Sequence, residues 1–240
     1  MISSETKSAN GRTSERLNAV ALAILASFIP FSGSVFAAEI VQNGSFEMLS
    51  APFVDDGLNY MALGDRSTEI VGWTVSTSTG AIVLGRSPTG DGYTAANGSY
   101  FVDLSGYGSS SPDGALIQTI DTVGGATYAF SMDLAGANNG TVSAFVGGQI
   151  LALTPGTPFV VGGTEWIPET ATFGGDPFDT HPVLIVKNES PGSDIDFVDD
   201  VSITGPAIPE PSTWAMLITG FAALGFAAYR FSTKSAAFPG

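Results

Sequence analysis

In several runs between Ala38 and Gly205 the apolar residues recur at every second position, and that spacing commits those runs to strands. Tyr128, Phe130, Met132 and Leu134 alternate with Ala129, Ser131 and Asp133. Tyr100, Val102 and Leu104 alternate with Phe101 and Asp103, and Phe197, Val201 and Ile203 fall on one face of the last run. A period of two with one apolar face describes a half-buried strand. No stretch of 38–205 carries the spacing of an amphipathic helix. Clusters of Gly, Asn, Asp and Ser break the runs, and the chain has 30 glycines. This pattern predicts two antiparallel sheets packed as a sandwich. Strands are expected near 39–48, 69–75, 80–85, 99–104, 115–122, 126–134, 141–146, 165–173, 182–187 and 195–204.

Composition removes several functions. The chain has no cysteine, so it has no disulfide, thiol nucleophile or Cys-ligated metal. Its one histidine, His181, is the sole candidate base for a catalytic triad and is expected to be structural or at the surface. Residues 38–205 hold 20 acidic residues against three basic ones, Arg66, Arg86 and Lys187, and the whole chain has a net charge of −15. Such a surface repels nucleic acid, whose binding needs Lys and Arg to displace counterions. It either draws divalent cations or simply keeps the protein solvated.

Both ends read as addresses. A basic N-terminal stretch precedes the apolar run Ala19–Phe31, and Val35-Phe36-Ala37 fits the small-residue rule for leader cleavage. Residues 1–37 are therefore expected to be a signal peptide, with Ala38 as the alternative cut. Near the C-terminus, Ser212–Tyr229 contains no charged residue. As a helix it would span roughly 27 Å at 1.5 Å per residue, close to a bilayer core. Pro209 and Pro211 hold the preceding chain extended, and Arg230 and Lys234 follow as positive-inside residues.

The order Pro209-Glu210-Pro211, uncharged span, Arg230 resembles the PEP-CTERM sorting signal of Gram-negative bacteria. The resemblance implies a transient inner-membrane anchor over 212–229 within a signal of 206–240. It also implies processing by an exosortase and delivery to the cell surface or an exopolysaccharide matrix. The basic tail departs from the family: Tyr229-Arg230-Phe231-Ser232-Thr233-Lys234 stands where several consecutive arginines are usual.

A second resemblance covers 38–205. It is carried by Asn43–Glu47 (NGSFE), Ser67–Val75, Gly98–Gly106, Ala115–Gly136 and Asp196–Thr204 (DFVDDVSIT). In that order they are similar to the choice-of-anchor C proteins, whose domains are galactose-binding-like jelly rolls, and more loosely to family 4 and 9 carbohydrate-binding modules. Gly80–Gly85 departs, with GAIVLG where the family often has an Asp and a Tyr. The expected fold is thus an all-β jelly-roll sandwich followed by one transmembrane helix.

Glu47 and the acidic run Asp194, Asp196, Asp199 and Asp200 come from opposite ends of the domain. Their hard oxygens, with backbone carbonyls such as those of Asn43 or Gly44, suit Ca²⁺ at six to eight coordination. The resemblance implies a structural calcium held by Glu47 and Asp200, with Asp199 as the rival for the second position. A solvated acidic edge that discourages aggregation is the competing reading. Sugar binding needs aromatic platforms beside polar groups, and Tyr60, Tyr93, Tyr107 and Trp166 lie in or beside polar stretches. Trp73 and Tyr128 are expected in the core. Arg66 and Arg86 would meet acidic sugars or form surface ion pairs. No nucleophile elbow and no paired-histidine zinc motif is present. The expected function is non-catalytic polysaccharide binding outside the cell. The alternatives are a structural or adhesive matrix protein and, behind it, a small glycan hydrolase.

Overall fold

A computed structural model describes residues 37–106, 113–136, 141–189, 195–206 and the helix 211–234. The expected leader before Ala37, and Tyr107, Asp194, Pro209 and Glu210, lie outside the described residues.

The fold is an antiparallel two-sheet sandwich, as the period-two pattern requires. Its strands are β1 (Ala37–Glu39), β2 (Tyr60–Leu63), β3 (Thr74–Ser76), β4 (Ile82–Arg86), β5 (Tyr100–Asp103), β6 (Ala115–Thr119), β7 (Thr127–Ala135), β8 (Val142–Val146), β9 (Gln149–Ile150), β10 (Thr154–Pro155), β11 (Phe159–Val161), β12 (Thr164–Gly174), β13 (Val183–Asn188) and β14 (Phe197–Pro206). The larger sheet runs β10-β12-β7-β14-β5-β4-β2, with β1 on β14 and β11 on β12. The smaller runs β3-β6-β13-β8-β9. Every strand pair is antiparallel.

The inner faces meet in a core that includes Leu63, Leu84, Val102, Tyr128, Phe130, Met132, Leu116, Ala144, Leu184 and Val186. Trp73 and Tyr128 are buried as expected. The Tyr128 hydroxyl accepts the Val123 N–H at 2.6 Å, so its polar tip is paired.

Three expectations are corrected. The segment 39–48 is a strand only at its start; beyond Glu39 it turns, and Leu49 meets Ile70 in an isolated bridge. Tyr60 lies in strand β2. Phe197 does not share a face with Val201 and Ile203. The register of β14 against β7 shifts between Asp199 and Ser202, and Asp200 takes a positive φ of 49°. That bulge adds one residue, so Val198, Val201 and Ile203 enter the inner core while Phe197 points outward.

Phe197 belongs to a second apolar cluster on the outer face of the larger sheet, with Tyr60, Val83, Ala95, Phe101, Ala135 and Trp166. Its rings pack edge to face: Phe101 lies 6.1 Å from Trp166 and 4.7 Å from Phe197, and Tyr93 lies 4.7 Å from Phe197. The loop after β4 closes over them. Thr94 N–H donates to Thr164 Oγ1 at 2.8 Å, Ala95 N–H to Ser87 Oγ at 3.1 Å, and the Trp166 indole N–H to Thr94 O at 3.0 Å.

Helix α1 spans Pro211–Lys234 and covers the stretch read as a membrane span. Among the described residues no helix is long and apolar enough to cross a membrane. The expectation of a spanning helix is therefore not supported by them; what they show is a helix with Met216, Leu217, Ile218, Phe221, Leu224, Phe226 and Tyr229 exposed. The described side chains are 216–226 and 229, fewer than the 18 uncharged residues of the sequence stretch.

Candidate functional site

The opening motif is a plug. Asn43 and Phe46 adopt positive φ, 55° and 60°. The turn is fixed by Asn43 Nδ2 donating to Met48 O at 3.0 Å and Val71 O at 2.9 Å, and by Met48 N–H donating to Asn43 Oδ1 at 2.9 Å. Phe46 is fully buried against Trp73, ring to ring at 5.8 Å, and the Trp73 indole N–H donates to Asn43 O at 3.0 Å. A Cβ on Gly44 would overlap the Val201 carbonyl, which explains a glycine in that motif. The Asn43 side chain is thus spent on holding the turn, and its carbonyl, the group expected at a metal, accepts the Trp73 indole N–H.

Glu47, Asp199 and Asp200 each bond to the segment 97–100. Glu47 Oε1 accepts the N–H of Ser99 at 2.6 Å and of Tyr100 at 2.8 Å. Asp199 Oδ2 accepts Asn97 N–H at 2.9 Å, its Oδ1 accepts Asp200 N–H at 2.7 Å, and Asn97 Nδ2 donates to Asp200 Oδ1 at 3.1 Å. Asp133 stands directly across from Asp199 on β7. Burial, relieved only in part by these bonds, pushes Asp199 up to about 8, and burial with the Asp200 charge pushes Asp133 up to about 6. The crowded carboxylates have the donor chemistry a hard cation takes. Among the described residues, however, no three acidic or histidine side chains form a group that could hold a metal. Neither cavity described below is lined by Asp133 or Asp199.

This burial has a pH consequence. Asp199 rises from 3.8 unfolded to about 8 folded, so the folded state keeps a proton that the unfolded state loses. Stability is fullest below pH 4 with respect to this group and is lost as pH rises from about 4 to 8. In EDTA, urea unfolding is expected to show a loss of about 3 kcal/mol between pH 5 and pH 8, and Asp199→Asn is expected to flatten that slope. A stability that rises over this interval in both proteins would contradict the assignment.

The expected sugar platform is not at the surface. Trp166 is fully buried and Tyr60 is 7% exposed. Burial pushes the Tyr60 phenol up to about 12. Tyr93 packs by its ring against Phe197. These side chains pack into one cluster on the outer face of the larger sheet rather than standing free as a platform. Arg86 is tied to Asp55 at 2.9 Å and lies 4.6 Å over the Phe53 ring; Arg66 pairs with Asp65 at 3.5 Å. Neither reaches the surface described next.

The outer face of the smaller sheet is different. Directly opposed residues form one row across all five strands: Thr74, Ile117, Ile185, Phe145 and Ile150. Opposed residues share a face and touch. With strands ~4.8 Å apart, the row is roughly 19 Å long. Ile117, Ile185 and Phe145 are partly exposed and Ile150 is 65% exposed. Thr119, Ser143, Ser76 and Lys187 flank the row on the same face. Outward positions of an antiparallel sandwich are ordinarily polar, so a continuous apolar ledge needs a reason. β6 and β13 read Ala-Leu-Ile and Val-Leu-Ile-Val without alternation, which signals apolar side chains on both faces.

At its Ile150 end the ledge meets a cavity of about 660 Å³. Gln149, Ile150, Thr172, Asp176, Phe178 and Asp179 are among its lining residues. Phe178 is 97% exposed at the tip of its loop. Asp176 Oδ1 accepts Phe178 N–H at 2.8 Å, and Asp179 Oδ1 accepts His181 N–H at 3.1 Å, so each carboxylate is oriented by its own loop. A second cavity of about 370 Å³ lies beside Tyr60, between Val54 and Ala62.

No protein-family model and no curated protein sequence matches this chain. Among solved structures it is similar to a family 61 carbohydrate-binding module in complex with β-1,4-galactotriose, at 16% identity and a TM-score of 0.39, over 69% of this chain and 97% of that one. It is also similar to the xylan-binding domain from Paenibacillus barcinonensis Xyn10C, at 11% identity and 0.36, over 66% and 100%. A third similarity is to the enzymatically active domain of bacteriophage CBA120 tailspike protein 4, at 16% identity and 0.38, over 67% of this chain and 22% of that one. Likenesses this distant assign no ligand to the chain.

Proposed function

We propose that the chain is an exported, non-catalytic protein that binds polysaccharide on the outer face of its five-stranded sheet and in the adjoining cavity. One observation carries the reading. Of the two outer faces, the larger sheet's is filled by its own aromatic cluster, while the smaller sheet's keeps an open apolar ledge bordered by hydroxyls. A pyranose ring offers an apolar C–H face and a polar rim. Phe145 and its isoleucine neighbours suit the first, and Thr74, Thr119 and Ser143 suit the second. The cavity volume lies within the range of ligand sites, and its lining mixes apolar walls with a few polar groups.

The rest of the reading comes from the sequence. The leader directs export, and the galactose-binding-like jelly roll is the family layout that the ordered motifs resemble. Pro209-Glu210-Pro211, α1 and Arg230 make a signal for an exosortase, with transient residence in the inner membrane before release to the surface or matrix. Calcium in this reading is a structural ion near Asp199, Asp200 and Glu47, where it would relieve the crowded charge.

A glycan array probed with the purified protein in calcium buffer and again in EDTA tests the reading. Binding to a coherent class of sugar supports it, and calcium dependence supports the ion. A folded protein that binds nothing in either buffer leaves a structural matrix protein as the better account.

A further inference from the structure

Resting on that polysaccharide reading, we infer that the occupant of the ledge and cavity carries free amines: a polymer of amino sugars with at least part of its nitrogens un-acetylated. The charges around the site carry the inference. Lys187 is the cation on the ledge face, and its Nζ lies 3.3 Å from Glu189 Oε1, so its charge is already answered. At the nearby rim Asp121 faces His181 at 3.4 Å. Among the described residues, the cavity is lined by Asp176 and Asp179 and by no lysine or arginine. Each of these carboxylates spends one oxygen on a loop N–H and presents a second.

An anionic polymer such as a polyuronate meets no unanswered cation here and is repelled by the acids. An uncharged polymer gains the ledge but nothing from the carboxylates. A sugar ammonium gains both, through charge-assisted hydrogen bonds to Asp176 and Asp179. In ligand sites with apolar walls, a few placed polar groups of this kind set specificity.

The test compares three polymers on the purified full chain: a partly deacetylated N-acetylglucosamine polymer, fully acetylated oligomers of the same sugar, and a polyuronate. Binding is expected to fall in that order. Affinity for the amine polymer should weaken as salt rises from roughly 0.05 to 0.5 M, where screening shortens from over 10 Å to under 5 Å. The Asp176→Asn/Asp179→Asn double variant keeps its loop bonds, because an amide oxygen also accepts. It should lose roughly fivefold in affinity for the amine polymer and nothing for the acetylated one. An Asp91→Asn/Glu165→Gln control removes two charges elsewhere, Glu165 standing at the opposite end of β12 from the cavity, and should change neither. Equal affinity for amine and acetylated polymers, a preference for polyuronate, or the same loss in both double variants would overturn the inference while leaving polysaccharide binding in place. Binding of none of the three by a folded chain would overturn both.

Discussion

Replacing Trp166 with alanine is expected to cost the fold about 3–5 kcal/mol and to leave the affinity of the remaining folded protein unchanged. Trp166 is wholly buried, its indole N–H is paired with Thr94 O at 3.0 Å, and its ring packs edge to face on Phe101. Alanine would open a cavity beneath the 87–97 loop and leave the Thr94 carbonyl without that donor. Urea unfolding followed by far-UV circular dichroism reads the stability. A ligand platform on an exposed loop would behave the other way, losing affinity at little cost in stability. That outcome would move the binding surface to the larger sheet.

Phe145→Ala is expected to have the opposite profile. The ring sits in the ledge between Ile185 and Ile150 and is partly exposed. Its loss should weaken polysaccharide binding about tenfold, as for other aromatic anchors at binding surfaces, and destabilise the fold by only about 1 kcal/mol. Affinity electrophoresis through a gel containing the bound polysaccharide measures the first, and thermal unfolding the second. Retention equal to that of the wild type would remove the ledge from the account.

The two profiles show what the sequence could and could not convey. Layer architecture was legible because alternation such as Tyr128, Phe130, Met132 reports directly which face of a strand is buried. Trp73 and Tyr128 were placed correctly for the same reason. The faces went wrong at β14, where alternation assumes an unbroken pleat and the bulge at Asp200 breaks it. Trp166 and Tyr60 are buried instead of exposed because the loop 87–97, polar in composition, folds inward over the sheet. Ala95 is buried and Thr94 half-buried there, their backbone N–H groups donating to Ser87 and Thr164. Composition cannot show that a polar loop is pinned down.

The ledge had a signal that alternation alone passes over. Val183-Leu184-Ile185-Val186 and Ala115-Leu116-Ile117 are unbroken apolar runs in strands with one face toward solvent, and such a run places an apolar residue outside at every second position. The row of Ile117, Ile185, Phe145 and Ile150 needs the strand order β6-β13-β8-β9, which pairs segments distant in sequence. Glu47, Asp199 and Asp200, distant in sequence, each bond to the segment 97–100. The sequence could not reveal that the Asn43 side chain would fix its own turn.

The most direct test of the account is a map of amide chemical shifts as the best-bound polysaccharide is titrated into the isotope-labelled protein. The account predicts one connected set of changes across β6, β13, β8 and β9, centred on Ile117, Ile185, Phe145 and Ile150 and running into residues 174–179. Changes confined to the loop 87–97 and the outer face of the larger sheet, with the ledge unmoved, would contradict it.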